Sequence, residues 1–417
     1  MSEYKKQHYV PVFYMKIFSS NGKTVSVFHM DEQVLISNSS IKSQCQEKFF
    51  YGNDLEIEHQ YQKYEIEWSN AIRRVIEEEP LTEETLDALK SFALYQRCRT
   101  KTTLDYRKEQ SKQATIEFIK SIALSQGIDP DKHKPLIERM AEEKASELST
   151  PKDIIEVARE SLPYIKDLRV LIVDYQTRER LISSDTPVIM TNPIFGFRGN
   201  GLGLIGLVMF YPVNPSKLVV VYDSLSYSVQ DIKDGVFISN DDNEVKTLNA
   251  YQYVSANNIL FSNDPNDLKS YLPDAVDARE RTKKQSVVSA LGDGEQKLVA
   301  IHERDIMYYG NLSFCREPRS FKRVPKECKE PLPRYCDAET ERVLLTKRDA
   351  VIKMGDALKK EGFFGKLSKK EYKRGSKEFF RQAQIYWAKH RLYYKNEEEL
   401  LCKIKENEKR IEQSPDS

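Results

Sequence analysis

Apolar and aromatic residues recur in steps of three and four at Ile57, Tyr61, Tyr64, Trp68, Ile72 and Val75, the stripe of an amphipathic helix over Leu55 to Glu78. Thr82 starts the next helix, with Glu83 and Glu84 in the first turn where carboxylates complement the dipole. That helix extends toward Arg107 with room for a break, and further helical patterns cover Asp131 to Leu148 and Pro151 to Leu162. Near the start, Pro11 suits the first position of a short helix to Phe18, and Asn21-Gly22 turns the chain into a strand, Thr24 to Met30. The middle changes period. Arg169 to Tyr175, Pro187 to Thr191, Leu204 to Tyr211 and Lys217 to Tyr222 are β-branched or apolar runs between turn residues. Val245 to Asn258 returns to helix, Ile259 to Ser262 is extended, and Asp264 to Glu280 is helical with an interruption at Pro273.

Strands and helices come in separate runs, so the pattern predicts an α+β fold. Its parts are a short N-terminal helix with a hairpin-like strand, a helical bundle segment, a central and mostly antiparallel sheet, and a helical C-terminal extension. The expected organisation is an α+β domain over 1–285, a Pro- and charge-rich linker over 286–337 and a basic helical region over 338–417. The linker reading rests on Gly292-Asp293-Gly294 and on Pro318, Pro325, Pro331 and Pro333.

Composition narrows the class. The 417 residues are 40% hydrophobic and 31% charged, which suits a globular chain with solvated helices. No apolar run reaches the length of a membrane span, and the segment Met-Ser-Glu-Tyr-Lys-Lys carries no apolar signal core, so a cytoplasmic protein without membrane contact is expected. The six cysteines form no C-x-x-C pair and read as reduced thiols. His302, Cys315, Cys328 and Cys336 match no zinc module spacing. No cofactor is expected, with a divalent metal left open; oligomeric state is not legible. Lys and Arg (65) nearly balance Asp and Glu (64), so only local charge can point to a partner.

Local charge does so in one place. Between Lys353 and Lys395 there are 13 Lys and Arg against 4 Asp and Glu, a net of +9, with aromatics interleaved. Read as a helix after Gly375, the segment sets Phe379, Ala383, Tyr386, His390 and Tyr393 on one face and Lys377, Arg381, Arg391 and Lys395 on the other. Together with Lys369, Lys370, Lys373 and Arg374, this basic set is the footprint expected for an RNA or DNA backbone. A solvated face neutralised by Glu397-Glu398-Glu399 is the competing reading.

Other signals concern a site. Gly201-Leu202-Gly203-Leu204-Ile205-Gly206 has the G-x-G-x-x-G form of a dinucleotide loop, but a strand-like run follows where that motif needs a helix. The apolar stripe Leu89, Phe92 continues as Gln96, Arg99 and Thr103, so a core face turns polar; Arg97 lies about 200° away from Arg99 around the helix. Asp185 in Ser183-Ser184-Asp185-Thr186-Pro187 either caps a turn or aims a carboxylate into a pocket. His8, beside Tyr9, Phe13 and Tyr14, is either packed or an acid or base.

His8-Tyr9-Val10-Pro11-Val12-Phe13-Tyr14-Met15 resembles the HYVP-x-FYL opening of a bacterial family, domain of unknown function 4238. Phe49-Phe50-Tyr51, Gln96 with Arg99 and Thr100, Ser184-Asp185-Thr186-Pro187-Val188, Tyr211 to Pro215 and the helix of Asn249 resemble its later blocks, from about residue 7 to 270. Lys101 stands where the family usually has Pro, and Thr186 where it usually has Asn. The resemblance implies no activity. It groups His8, Gln96, Arg99 and Asp185 as the polar residues of the pattern.

Two function classes follow. In the first, the protein is a nucleic-acid-directed hydrolase, a defence or toxin-like effector by the kind of family it resembles. His8 is then acid or base, Arg99 a phosphate ligand with Gln96 beside it, and Asp185 orients His8 or holds a metal. In the second, the protein is a non-enzymatic binding or regulatory protein and the polar group is structural; a further enzymatic reading has the same pocket serve a small molecule and the tail serve oligomerisation.

Overall fold

In the computed structural model the described residues are 6–315 without 53–54, 149, 194–200, 205, 225, 228, 230–231, 284–286, 292–297 and 303–311. The basic set Lys369, Lys370, Lys373, Arg374, Lys377, Arg381, Arg391 and Lys395 therefore lies outside the described residues, as does the whole expected 338–417 region.

The chain opens with β1 (Lys6–His8), α1 (Val12–Ile17), β2 (Thr24–His29), β3 (Val34–Ser40) and β4 (Gln46–Lys48). Four long helices follow: α2 (Glu56–Ile76), α3 (Glu83–Cys98), α4 (Lys101–Ser125) and α5 (Lys134–Leu148), then α6 (Pro151–Ser161). Next come β5 (Arg169–Tyr175), β6 (Ser183–Ser184), β7 (Ile189–Thr191), β8 (Val208–Pro212), β9 (Lys217–Tyr222), β10 (Val236–Ser239), α7 (Asp242–Ser255), β11 (Ile259–Ser262) and α8 (Asp274–Lys283). A last antiparallel pair, β12 (Val287–Leu291) and β13 (Leu298–His302), falls inside the stretch whose glycines suggest a linker. Its β-branched flanks, Val287-Val288 and Val299 to Ile301, suit strands on either side of those glycines.

The fold is α+β. The largest sheet has the order β10-β5-β9-β8-β7, antiparallel except where β10 runs parallel to β5. The second, β3-β2-β11-β6, is antiparallel throughout, and β1 pairs with β4. Sequence periodicity misses β1, β3, β4, β6 and β10, which are short, polar or exposed and carry no apolar alternation.

The chain falls into two compact units, one of Met1–Thr191, Val208–Tyr222 and Val229–Ser313, the other of Asn192–Leu207, Asp223–Ser228 and Phe314–Ser417. The first unit has an aromatic core centred on Phe92 of α3. Its ring lies 5.4 Å from Tyr14, 5.6 Å from Trp68 and 4.9 Å from Tyr211, so one side chain joins α1, α2 and β8. The buried hydroxyls are answered by main chain: Tyr211 donates to the Leu89 carbonyl and Tyr14 to the Pro212 carbonyl. In the second unit, Gly206 has φ +75°, and its N–H is held by Asp223 and Ser226. The residues after Gly206 form β8, so the glycines lead into a strand and supply no helix N-terminus for a pyrophosphate. Among the described residues no helix is long and apolar enough to cross a membrane.

Candidate functional site

The polar cluster forms where two helices meet. α3 ends at Cys98 with Arg99 as its C-cap, and Thr100 caps α4 by accepting from the Thr103 N–H. Lys101 is thus the first residue of α4, a position that also tolerates Pro, so the family departure there keeps the helix start. The junction sets the Arg99 side chain fully inside while Arg97 stays half-buried.

Arg99 and Gln96 grip the chain just after β1. Gln96 Nε2 donates to the Tyr9 carbonyl at 2.9 Å and Arg99 Nε to the same oxygen at 3.1 Å. Arg99 Nη2 pairs with Glu65 of α2 at 2.8 Å and reaches the His8 carbonyl at 3.5 Å. The guanidinium lies 4.5 Å from the centre of the Tyr61 ring. Burial works against its charge, yet Tyr51, Glu65 and Tyr61 hold its pKa above the ordinary value, so it stays protonated. Tyr51 donates to the His8 carbonyl, and its own N–H is accepted by Gln7 Oε1.

His8 contributes its main-chain carbonyl to this cluster. Side chains alternate along a strand, and Gln7 reaches the Tyr51 N–H and Gly52 carbonyl from one face of β1. The His8 ring and its cross-strand partner Gln46 take the other face. Burial is the main reason the His8 pKa falls below 6.5. A hydrogen bond to the Lys42 backbone opposes the fall, and the charges of Arg99 and Lys6 add to it. At neutral pH the ring is uncharged, with Nε2 buried and without a partner.

Asp185 stands apart from these three. It follows β6, is 2% exposed, and accepts from the N–H groups of Asn257 (2.8 Å), Asn258 (2.8 Å) and Ile259 (3.0 Å). Arg279 of α8 takes the carbonyls of the same turn, including Ala256 and Asn257. The turn from α7 into β11 is therefore held by an acid on its amides and a base on its carbonyls. Burial raises the Asp185 pKa to about 6, against the lowering effect of the three amides and Arg279. No hydrogen bond or ion pair joins Asp185 to His8 or Arg99 among the described residues; the group that holds the His8 ring is the Lys42 backbone. Asn249 and Gln252 of α7 clamp the segment before and after β6 through Arg180, Ile182, Ser184 and Pro187.

The Arg99 cluster lies within a span that a family model covers. A model of the family described as "Protein of unknown function (DUF4238)" matches residues 6–266. The chain belongs to this family. No curated protein and no solved structure matches it. The DUF4238 span contains the whole Arg99 cluster and the Asp185 turn, and ends before α8, so Arg279 is supplied from beyond it.

Sequence reasoning places Gln96 and Arg99 on one face, groups them with His8 and notes Tyr51 only as part of a family-like block, but misses Glu65 and Gln7. Tyr61 is legible only as part of the α2 core stripe. Glu65 has no signal of its own, because a Glu on a solvated helix looks like its neighbours until the fold brings an Arg to it. Among the described residues no group of three His, Cys, Asp or Glu could hold a metal ion. His302 and Cys315 are described; Cys328 and Cys336 lie outside the described residues.

Proposed function

We propose that this DUF4238 protein is a non-enzymatic binding or regulatory protein whose basic C-terminal run engages RNA or DNA. The observation that carries the non-enzymatic reading is where the two charged candidates spend their hydrogen bonds. Arg99 is used on two carbonyls and Glu65, and Asp185 on three amides. A phosphate clamp needs an open positive charge, and an acid that orients a histidine must reach it. The nucleic-acid half rests on the +9 run between Lys353 and Lys395.

The hydrolase reading keeps one observation in its favour. The His8 ring is neutral, is anchored to the Lys42 backbone, and has a free Nε2, which is the state a general base requires.

One experiment separates them. Labelled RNA and DNA are titrated with the intact chain at low and moderate salt, and oligonucleotide length is followed over time. Binding that falls steeply with salt, is weakened for all sequences alike by Lys377→Glu with Arg381→Glu, and leaves the strands intact supports the proposal. Cleavage that His8→Gln abolishes would establish the hydrolase. Absence of binding to either polymer at low salt would refute the nucleic-acid half.

A further inference from the structure

α4 and α5 form an antiparallel hairpin. Lys112 of α4 pairs with Glu142 of α5, and Ile116 and Ile119 of α4 pack with Ile137 and Ala141 of α5. Each residue turns a helix by about 100°, which sets Phe118 and Ile122 roughly a quarter to a third of a turn round α4 from that contact line. Leu136 and Met140 stand at a similar offset, in the same rotational sense, on α5. Between antiparallel helices, offsets of the same sense fall on the same side, so the four residues share one side of the hairpin. They are open to water: Phe118 is 65% exposed, Ile122 41%, Leu136 45% and Met140 46%. On α4 this side continues as an uncharged line, Ser111, Thr115, Phe118, Ile122 and Ser125, in steps of four and three. That alternation is the spacing of a helix-pairing seam. The charged residues within the stretch are spent elsewhere, Lys112 on Glu142 and Glu117 on Lys120.

We propose that this side of the α4–α5 hairpin is the interface with a second copy of the chain, α4 lying antiparallel on α4 about a two-fold axis at Phe118. The seam is self-complementary about that residue. Thr115 and Ile122 lie one step to either side of it and Ser111 and Ser125 two steps, so antiparallel pairing sets the smaller Thr115 against the larger Ile122 and serine against serine. Leu136 and Met140 flank the seam and turn the contact into a four-helix layer. Charge favours the same occupant. The seam offers no charge for an acidic or basic segment to pair with, whereas a second copy brings an equally uncharged face. Area agrees. At these exposures the four side chains leave on the order of 350 Å2 of apolar surface in water, the size that marks an interaction site. Two copies bring that area twice, and with a polar rim of similar extent they bury roughly 1,200–1,600 Å2, which is enough for a stable dimer. The interface belongs to the family domain and is independent of what the C-terminal run binds.

The test is sedimentation equilibrium of the intact chain up to about 100 μM, for wild type, Phe118→Glu, Met140→Glu and Leu124→Glu. Leu124 is the control, 63% exposed on the opposite side of the hairpin. All three side chains are exposed, so the fold is expected to survive, and each variant's denaturation midpoint checks that it does. A wild-type dimer is expected. Phe118→Glu sets two carboxylates against each other on the axis, and every substitution counts twice in a symmetric dimer, so its dissociation constant should rise about a hundredfold. Met140→Glu should weaken the dimer in the same direction, and Leu124→Glu should leave it unchanged. A wild type that stays monomeric throughout overturns the proposal and leaves this face to another partner. A dimer that ignores both Phe118→Glu and Met140→Glu overturns it too, because the copies then meet elsewhere, as does a dimer that Leu124→Glu breaks equally.

Discussion

Asp185→Asn tests whether that carboxylate staples the turn from α7 into β11. The carboxylate gives Oδ1 to the Asn257 N–H and Oδ2 to those of Asn258 and Ile259. An amide has one acceptor oxygen. If it serves Asn258 and Ile259, its own NH2 faces the Asn257 N–H, leaving two donors in opposition inside the protein. A buried donor without a partner costs about 1–3 kcal/mol, so the pair costs about 3 kcal/mol. At roughly 2–4 °C per kcal/mol for a domain of this size, the melting temperature falls on the order of 10 °C. The pH profile supplies a second measurement. The folded carboxyl has a pKa of about 6 against an ordinary 3.8. The folded state therefore holds this proton more tightly than the unfolded state. The stability the group contributes is complete below the ordinary value and is lost as pH rises through about 6, by about 3 kcal/mol in all. Urea denaturation at several pH values between 4 and 7 should show that loss in the wild type and its absence in Asp185→Asn. A variant as stable as wild type throughout, yet unable to bind nucleic acid or any other ligand, would refute the staple and return Asp185 to a ligand-contacting role.

Arg99→Ala removes the partner of two carbonyls and leaves Glu65 unpaired, so urea denaturation should show a loss of about 3–5 kcal/mol, whereas Arg97→Ala, on the half-buried side of α3, should stay within about 1 kcal/mol. For His8 the folded pKa lies below 6.5, so the stability contributed by the neutral ring is present above 6.5 and is lost as pH falls through the folded value. NMR titration of the imidazole should find its midpoint below 6.5, and His8→Gln should be less sensitive to mild acid; a midpoint at or above 6.5 would contradict the buried placement.

The parts of this protein legible in its sequence are those decided by local periodicity. The stripe of α2, the Thr82 cap of α3, and the runs of β5, β9 and β11 follow from residues that are neighbours in the chain, and their burial follows from the same spacing. The continuation of the Leu89 and Phe92 stripe into Gln96 and Arg99 is legible for the same reason, because one helix carries both the apolar and the polar part of the face. Where the polar residues make their hydrogen bonds is decided only by tertiary structure. At the sequence level Asp185 could cap its own turn, but its carboxylate lies on amides more than seventy residues later. Arg99 could be an open cation, but an unremarkable Glu65 neutralises it across two helices. Both outcomes depend on which elements come into contact, and hydrogen bonding needs atoms within about 3 Å, a distance that no pattern along one segment encodes. The same limit hides β1 and β4, three residues each, whose pairing comes from the partner strand and whose own pattern carries no signal, although that pairing sends the side chains of Gln7 and His8 to opposite faces.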